Sequence, residues 1–532
     1  MSTIPTSTVR APRHMVASAD QLATSAGMEM WAVGGNGVDA AIACNAAIAV
    51  TGPHLCGMGG DLFAIVHVDA PEQPGATFAL NATGRAGSGA DAGALRAEGN
   101  TEMPFKLDVR TVTVPGCIDG WMALHERFGS LPLDVILAPA RRLAADGFPA
   151  SPLLVGSLRR LDAESRSNLA ELATQATSTG AVVRRPGAAL ALAGLSASGR
   201  DSFYGGAFGE GLVEIGAGLF NEGDITARHA DWVDPLTTSV FGVDLHTIGP
   251  NSQGYLTLGA ARLADQLDLP DDPDDERWAH LLVEAATAAG FDRPAQLHEG
   301  ADGDALVEQI ARRLELVGLE RATSRPVPSF DGDTTYLCTA GVAPDGVRMG
   351  VSLIQSNASG FGSHLVEPNT GINLHNRGLG FNLVAGHPAE YGPGRRPPHT
   401  LSPALATRAG RLAAVFGTMG GDAQPQILLQ VAARLFRHRQ SPDTAISAGR
   451  WILHGPTTGF DTWTGGGGPV VHVEGHAPAA WVDALGERGH LTEQKPAWDS
   501  GFGHAHAIVV EVTGMLAGAA DPRTVVGRAA GS

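Results

Sequence analysis

Near the start of the chain, the apolar residues recur with helical spacing. Between Ala19 and Val33 they return every three or four residues, which predicts an amphipathic helix. The following segment, Val38 to Val50, is almost entirely Ala, Ile and Val. Because this second helix lacks a polar face, we expect it to be buried against a sheet. A glycine-rich turn at 34–37 separates the two predicted helices.

Strand signals dominate the centre and later part of the chain. Small, β-branched and apolar residues alternate from Thr334 to Thr339, and a Pro-Asp-Gly turn followed by an apolar run to Ser356 completes a predicted hairpin. Leu412 to Phe416 is a further predicted strand, which a Gly-Gly turn joins to a helix from Gln426 to Arg437. The same patterns predict a strand after the glycine loop at 57–60, a strand at 111–114 leading through a Pro-Gly turn into an amphipathic helix, and helices at 131–147 and 278–289.

Composition narrows the class of protein. The chain has 532 residues, 43% of them hydrophobic and 17% charged, which is typical of a soluble globular protein of one large or several ordinary domains. Lys and Arg number 37 against 55 Asp and Glu, a net charge of −18. This balance argues against a nucleic-acid partner, because such a partner requires a basic face.

The cysteine spacing and the hydropathy of the sequence indicate the cellular compartment in which the protein is expected. Cys44, Cys56, Cys117 and Cys338 form no Cys-x-x-Cys pair and no zinc-spaced cluster, so we expect neither disulfides nor a structural metal. The sequence begins without an apolar leader and contains no apolar run of about 18 residues, the length that a membrane helix requires. We therefore expect a cytoplasmic protein that does not associate with membranes.

The chemistry-bearing segment is the acidic turn before the central strand. If the bond between Asp333 and Thr334 is broken, Thr334 gains a free α-amine beside its own hydroxyl. An α-amine has a reference pKa of about 7.7–8.0, so near neutral pH much of it can act as a base for that hydroxyl. One residue would then supply both nucleophile and base. On these residues alone, the simpler interpretation is a turn that leads into a strand.

A second candidate element is the Gly-Gly turn at Gly420 and Gly421. A strand, a glycine turn and a helix in succession can aim free backbone N–H groups at a developing oxyanion. The alternative interpretation is a tight turn without a catalytic role.

Several motifs occur together in a recognisable order. The sequence resembles the γ-glutamyltranspeptidase family of N-terminal-nucleophile hydrolases from about residue 13 to residue 520. The blocks that carry the resemblance are Gly34–Ala43, Gly57–Phe63, Val114–Trp121, Asp333–Thr335, Gly360–Ser363, Arg396–Pro403 and Gly417–Asp422.

The resemblance implies an α+β fold, a four-layer αββα sandwich made by an autoprocessed proenzyme. Cleavage between Asp333 and Thr334 would give a large subunit, residues 1–333, and a small subunit, residues 334–532, which stay interlocked as a heterodimer. Whether two heterodimers associate is left open. Members of the family need no metal and no organic cofactor for the chemistry. The predicted partners are therefore the two subunits and a small acidic amide or γ-glutamyl substrate.

The resemblance also implies the reaction. The Thr334 hydroxyl would attack an amide carbonyl with its own α-amine as general base. The N–H groups of Gly420 and Gly421 would stabilise the tetrahedral intermediate. Water or an acceptor amine would then resolve the acyl-enzyme.

The substrate-binding residues depart from the family pattern. The family's acidic residue that holds the substrate's α-amino group falls on Gly380. The same segment contains Asn376 and Arg377, and Arg377 adds a positive charge there. The family's Ser-Ser pair falls on His399 and Thr400, and its carboxylate-binding Arg falls near Ala94. The nearest substitutes for that Arg are Arg85 and Arg96, and the supporting hydroxyl aligns around Ile354, which leaves Ser352, Ser356 and Asn357 as candidates.

These departures predict the substrate class. An α-ammonium group without its anionic partner would lose binding energy. We therefore expect hydrolysis, in preference to transfer, of a small acidic amide that has no α-amino group, as in the oxamate amidohydrolase and glutaryl-type acylase branch. Two alternatives stay open: a glutathione-degrading γ-glutamyl transferase, and an uncleaved binding homologue without catalytic activity.

Overall fold

The computed structural model describes residues 7–70, 75–323, 334–454 and 469–532. Within these ranges the chain forms two seven-stranded antiparallel sheets and two small ones. The strands are β1 (Val9–Ala11), β2 (His14–Ser18), β3 (Asp61–Asp69), β4 (Ala76–Ala82), β5 (Phe148–Pro149), β6 (Val182–Val183), β7 (Asp231–Val233), β8 (Pro235–Val240), β9 (Val243–Ile248), β10 (Thr335–Val342), β11 (Arg348–Ser356), β12 (Ala404–Arg408), β13 (Arg411–Thr418), β14 (Trp451–His454), β15 (Val470–Glu474), β16 (Leu491–Lys495), β17 (Ala505–Val510), β18 (Leu516–Ala520) and β19 (Arg528–Gly531).

Helices cover the outer faces of the two large sheets. They are α1 (Gln21–Ala32), α2 (Gly37–Thr51), α3 (Ala92–Ala97), α4 (Cys117–Phe128), α5 (Leu133–Asp146), α6 (Pro152–Arg160), α7 (Ala163–Asn168), α8 (Ala170–Gln175), α9 (Pro186–Ser198), α10 (Asp201–Tyr204), α11 (Ala207–Gly216), α12 (Glu222–Thr226), α13 (Gly254–Asp265), α14 (Glu276–Gly290), α15 (Arg293–Gln296), α16 (Gly303–Ala311), α17 (Gln424–Ala432), α18 (Pro442–Ser447) and α19 (Ala480–Glu487).

Three hydrophobic layers divide the molecule. The middle layer lies between the two sheets and contains Phe63, Tyr336 and Ile354 from one sheet and Val415 and Ile508 from the other. A second layer packs α1, α2, α4 and α5 against the sheet that contains β10. The third packs α13, α14 and α17 against the sheet that contains β13. Helix, sheet, sheet and helix therefore follow one another, which confirms the predicted four-layer αββα fold.

The strand order interleaves the two halves of the sequence. One sheet runs β1-β18-β17-β13-β12-β9-β8 and the other runs β19-β2-β10-β11-β3-β4-β7. Each sheet therefore contains strands from before and from after Thr334. A cut at that position would leave two polypeptides that share both sheets.

Most of the predicted elements near the site are confirmed. The predicted helices of the N-terminal region are α1 and α2, and every residue of α2 is buried. The predicted hairpin is formed by β10 and β11, which pair in antiparallel register from Thr335 and Gln355 onward. The predicted strand before the glycine turn is β13, and α17 follows that turn.

The predicted strand at 111–114 is wrong. A short 3₁₀ turn covers Val109–Thr111, and the extended residues after it pair with no strand of the described chain. The N–H of Val114 instead bonds to the carbonyl of Arg85. All four residues of the segment are buried, and burial alone does not distinguish a strand from an extended loop.

The structure also describes the cysteines, possible metal-binding clusters and possible membrane-spanning helices. All four cysteines are buried and free. Among the described residues, no three His, Cys, Asp or Glu side chains are grouped so that they could hold a metal ion. In the same ranges, no helix has both the length and the apolar character needed to cross a bilayer.

Candidate active site

Thr334 lies directly before β10 and is buried, with 1% of its surface exposed. Its Oγ1 donates a hydrogen bond to Ser356 Oγ at 3.1 Å. The strand register explains this contact, because Thr335 pairs with Gln355 and the next position therefore lies opposite Ser356. Ser356 in turn pairs with Asp61, the first residue of β3. Paired residues of antiparallel strands point to the same face, so these three side chains form a row that faces the other sheet.

Of the three candidates that the sequence left open, Ser356 is the residue whose side chain contacts Thr334. Its Oγ also accepts the N–H of Ala358 at 2.7 Å, which fixes its orientation. Ser352 instead contacts the Tyr336 hydroxyl at 3.0 Å. Asn357 donates from Nδ2 to the carbonyl of Pro53 at 3.2 Å, and its Oδ1 has no hydrogen-bond partner within the described chain.

The glycine turn approaches from the opposite sheet. Gly417, on β13, packs so tightly against Tyr336 that a Cβ there would lie 2.2 Å from the ring. The chain then leaves the strand through Gly420 and Gly421, whose φ values are 139° and 53°, a region that glycine adopts without strain. Neither of their N–H groups donates a hydrogen bond to any described residue. The turn therefore presents two uncommitted backbone donors at the start of a helix, as an oxyanion site requires.

Gln253 connects this turn to the segment that carries His399 and Thr400. Its side-chain amide donates to the carbonyl of Thr400 at 2.8 Å and to the carbonyl of Gly421 at 3.0 Å. The position of the predicted oxyanion donors and the position of the predicted substrate-binding loop therefore depend on one another.

A buried charge cluster continues the row of side chains beyond Ser356. Asp61 Oδ2 accepts from Arg377 Nε at 2.6 Å and from His399 Nε2 at 2.8 Å, and His375 Nδ1 lies 3.5 Å away. Arg377 also donates to Thr400 Oγ1 at 3.2 Å. The structure thus brings together three residues predicted to bind substrate, Arg377, His399 and Thr400, around a carboxylate that the sequence analysis did not single out.

The protonation states in this cluster follow from burial and from the neighbouring charges. Burial by itself would raise the pKa of Asp61, but the Arg377 charge and the hydrogen bond from His399 outweigh it and hold that pKa well below its usual range. Burial, with Arg377 nearby, lowers the pKa of His399 to about 4. His399 Nδ1 accepts the N–H of Leu401 at 3.1 Å, which leaves the proton on Nε2. Near neutral pH the cluster therefore holds an ionised Asp61 and a neutral His399 beside the Arg377 guanidinium.

The other residues predicted to bind substrate already have protein partners. Arg85 donates to Glu299 Oε1 at 2.6 Å and to the carbonyl of Gly394 at 3.0 Å. Asn376 donates to the carbonyl of Phe105 at 2.8 Å and accepts from the N–H of Ser359 at 3.0 Å. Their roles toward substrate stay predictions. Asp333, the predicted cleavage residue, lies outside the described residues.

The acidic residue that the resemblance leads one to expect falls on Gly380, a position that the neighbouring backbone packs closely. A Cβ at Gly380 would lie 2.2 Å from the carbonyl oxygen of Pro398. The backbone therefore leaves no room for a carboxylate side chain at this position, and the nearby cluster uses its one ionised carboxylate, Asp61, to hold Arg377 and His399.

Neither Asp61 nor Asp422 was predicted from the sequence as a site residue. Asp422 accepts from Arg293 Nη1 at 2.6 Å, and burial raises its pKa although Arg293 opposes that effect. Asp61 opens a strand whose next five residues are apolar, and a carboxylate on a predicted core strand needs a cationic partner. That mismatch was the available signal, although the partner itself is far away in sequence.

A four-layer sandwich with a hydroxyl residue before a central strand, and free N–H groups on the facing sheet, defines an N-terminal-nucleophile hydrolase. The sequence model of the gamma-glutamyltranspeptidase family matches residues 23–531, and the chain belongs to that family.

Known proteins are similar over nearly the whole chain. The glutathione hydrolase-like YwrD proenzyme of Bacillus subtilis is 32% identical over 96% of this chain and 97% of its own length. The oxamate amidohydrolase proenzyme of Klebsiella pneumoniae is 33% identical with the same coverage of both chains, 96% and 97%. Among solved structures, the cephalosporin acylase of Bacillus halodurans superposes with a TM-score of 0.88 at 31% identity, covering 100% of this chain and 98% of the acylase.

Proposed function

We propose that this chain is a proenzyme that cuts itself between Asp333 and Thr334 and then hydrolyses small acidic amides with Thr334 as nucleophile. The contact between Thr334 Oγ1 and Ser356 Oγ, at 3.1 Å, carries the proposal. It holds a buried hydroxyl at the start of a central strand, where a new chain terminus would place an amine beside it. The proenzyme names of the two relatives that share about a third of their residues with this chain support self-cleavage.

In maturation, the Thr334 hydroxyl adds to the carbonyl carbon of Asp333. The C–N bond then breaks and its nitrogen takes up a proton, which leaves an ester on Thr334 Oγ1 and a free α-amine. Water hydrolyses that ester and releases the Asp333 carboxylate. The products are a large subunit, residues 1–333, and a small subunit, residues 334–532, which form a heterodimer because both contribute strands to each large sheet.

In turnover, the α-amine of Thr334 accepts the hydroxyl proton as the oxygen attacks the substrate amide. The N–H groups of Gly420 and Gly421 stabilise the oxyanion, and such a donor is commonly worth a factor of about 10²–10³ in rate. The protonated amine returns its proton to the leaving nitrogen. Water then repeats the attack on the ester and frees Thr334.

The proposed substrate is an acidic amide without an α-amino group. The position of the family's ammonium-binding acid is closed at Gly380, and Asp61 already holds two partners. An incoming ammonium would have to compete with Arg377 for that carboxylate. The similarity to an oxamate amidohydrolase and to a cephalosporin acylase points to the same class.

A second candidate is a glutathione hydrolase, which the similarity to the YwrD proenzyme favours. Glutaryl-p-nitroanilide and γ-glutamyl-p-nitroanilide distinguish the two, because they differ only in the α-amino group. We expect the mature enzyme to have the larger kcat/KM for the glutaryl compound or for oxamate. Rapid turnover of the γ-glutamyl compound alone would refute the proposed substrate class.

Denaturing gel electrophoresis tests the maturation step. We expect two bands, with Thr-Thr-Tyr-Leu at the start of the smaller one. Active material that consists of one uncut polypeptide would refute the mechanism, and uncut inactive material would favour a non-catalytic binding homologue.

A further inference from the structure

The buried pair of Asp61 and Arg377 has no role in the mechanism above, although it lies in the same row as the nucleophile. We propose that Asp61 and Arg377 act on the catalytic base through their charges: while paired they leave the pH at which the Thr334 α-amine gives up its proton almost unchanged, and the loss of either charge shifts that pH. The proposal rests on the proposed function, since the α-amine exists only after cleavage at Thr334.

Strand register gives the separation between Asp61 and Thr334, and Arg377 Nε lies 2.6 Å from the Asp61 carboxylate. Thr334 lies opposite Ser356, and Ser356 pairs with Asp61. Two strand spacings of about 4.8 Å put the Asp61 backbone about 10 Å from that of Thr334. Ser356 lies between them and carries no charge. All three side chains are almost completely buried, so bulk water does little to screen a charge at this level of the sheet.

Other ionisable groups lie in the segments that border Thr334, Ser356 and Asp61. The carbonyl of His54 accepts from Phe361, and the carbonyl of His504 accepts from Met419, so both histidines belong to segments that border the site. Burial lowers the pKa of His54 to about 3 and that of His504 to about 4, and His399 is neutral for the same reason. Among the described residues, the buried charged and titratable groups of these neighbouring segments include His54, Asp61, Arg293, His375, Arg377, His399, Asp422, His504 and His506, whose ring stacks on Tyr336.

Asp422 and Arg293 compensate one another at 2.6 Å, as Asp61 and Arg377 do. Each pair therefore contributes little net field while it is intact. Removing one member of the Asp61 pair exposes the charge of the other.

Removing Asp61 and removing Arg377 should shift the pH at which the Thr334 amine loses its proton in opposite directions. Without the Asp61 carboxylate, the Arg377 charge disfavours the ammonium form of Thr334, so the amine loses its proton at lower pH. Without Arg377, the Asp61 charge favours the ammonium form, and the amine loses its proton at higher pH. At an effective dielectric constant of about 20 and a separation of about 10 Å, one charge moves the midpoint by about one pH unit.

The test uses Asp61→Asn, Arg377→Met and the double variant in the matured enzyme. The amine is titrated directly by pulse labelling with acetic anhydride at different pH values, read by mass spectrometry on the peptide that begins at Thr334. We expect the labelling midpoint to fall by about one pH unit in Asp61→Asn, to rise by a similar amount in Arg377→Met and to return to the wild-type value in the double variant. The acidic limb of kcat/KM should move in the same directions.

Arg142→Met is the matched control, since Arg142 pairs with Glu29 at 2.8 Å on the surface, and its midpoint should not change. Should Asp61→Asn fail to fold, Arg377→Met and the neutral double variant still decide the matter. Equal midpoints in all matured variants, or shifts of the same sign in both single variants, would overturn the inference. A wild-type protein that never releases a chain starting at Thr334 would instead refute the proposed function.

Discussion

Ser356→Ala tests the geometry of the nucleophile most directly. The Ser356 hydroxyl accepts from Thr334 Oγ1 at 3.1 Å and from the N–H of Ala358 at 2.7 Å. The substitution removes this one buried acceptor and both of its hydrogen bonds, and so leaves the N–H of Ala358 unsatisfied. A buried group without its partner costs about 1–3 kcal/mol.

If the lost interactions act wholly on the transition state, that free energy lowers kcat/KM by about 5- to 150-fold. The loss should be present in maturation as well, because the same hydroxyl attacks in both reactions. We expect slower appearance of the two subunit bands and lower turnover by the fraction that matures. Single-turnover kinetics with a chromogenic anilide separate the acylation step from the hydrolysis of the acyl-enzyme.

Ser352→Ala is the matched control for this experiment. Ser352 lies four residues earlier on the same face of β11, and it contacts the Tyr336 hydroxyl and the N–H of Ala404. Its loss should lower the free energy of unfolding by a similar amount while kcat/KM stays near the wild-type value. Equal losses of kcat/KM in both variants, or no loss in Ser356→Ala, would show that the contact with Thr334 does not support catalysis.

Three further outcomes are expected. Thr334→Ala should give one full-length band on a denaturing gel and no detectable hydrolysis in an anilide assay. Cleavage of this variant into two subunits would show that another residue is the nucleophile. Gly417→Ala should lower the melting temperature, because its Cβ would overlap the ring of Tyr336 at 2.2 Å, and an unchanged melting temperature would contradict that packing. The free energy of unfolding in urea should decrease as the pH falls from about 6.5 to about 4. In this range the histidines of the unfolded chain take up protons, while the buried imidazoles of the folded chain do not, since their pKa values are about 3 for His54 and His506 and about 4 for His399 and His504. Equal stability at pH 7 and pH 4.5 would contradict these low pKa values.

Local patterns were sufficient for the elements whose stability is set within a short segment. The apolar residues from Val38 to Val50 predicted a helix buried against a sheet, because the segment lacks a polar face for water, and every residue of α2 is buried. The alternation around Thr334 and the following turn predicted the hairpin of β10 and β11 for a similar reason. The segment at 111–114 shows the limit, since extended apolar residues form a strand only where a neighbouring strand takes their hydrogen bonds.

By itself, the sequence determined the family, the order of its motifs, the nucleophile expected at Thr334 and most of the elements that carry it. Only the tertiary structure decided that Ser356, and not Ser352 or Asn357, contacts that nucleophile, and that Arg377 pairs with a carboxylate 316 residues away in sequence. The physical reason is that strand register and the contact between the two sheets are non-local. They depend on which distant strands meet, and a one-residue change in register would turn every one of these side chains to the other face.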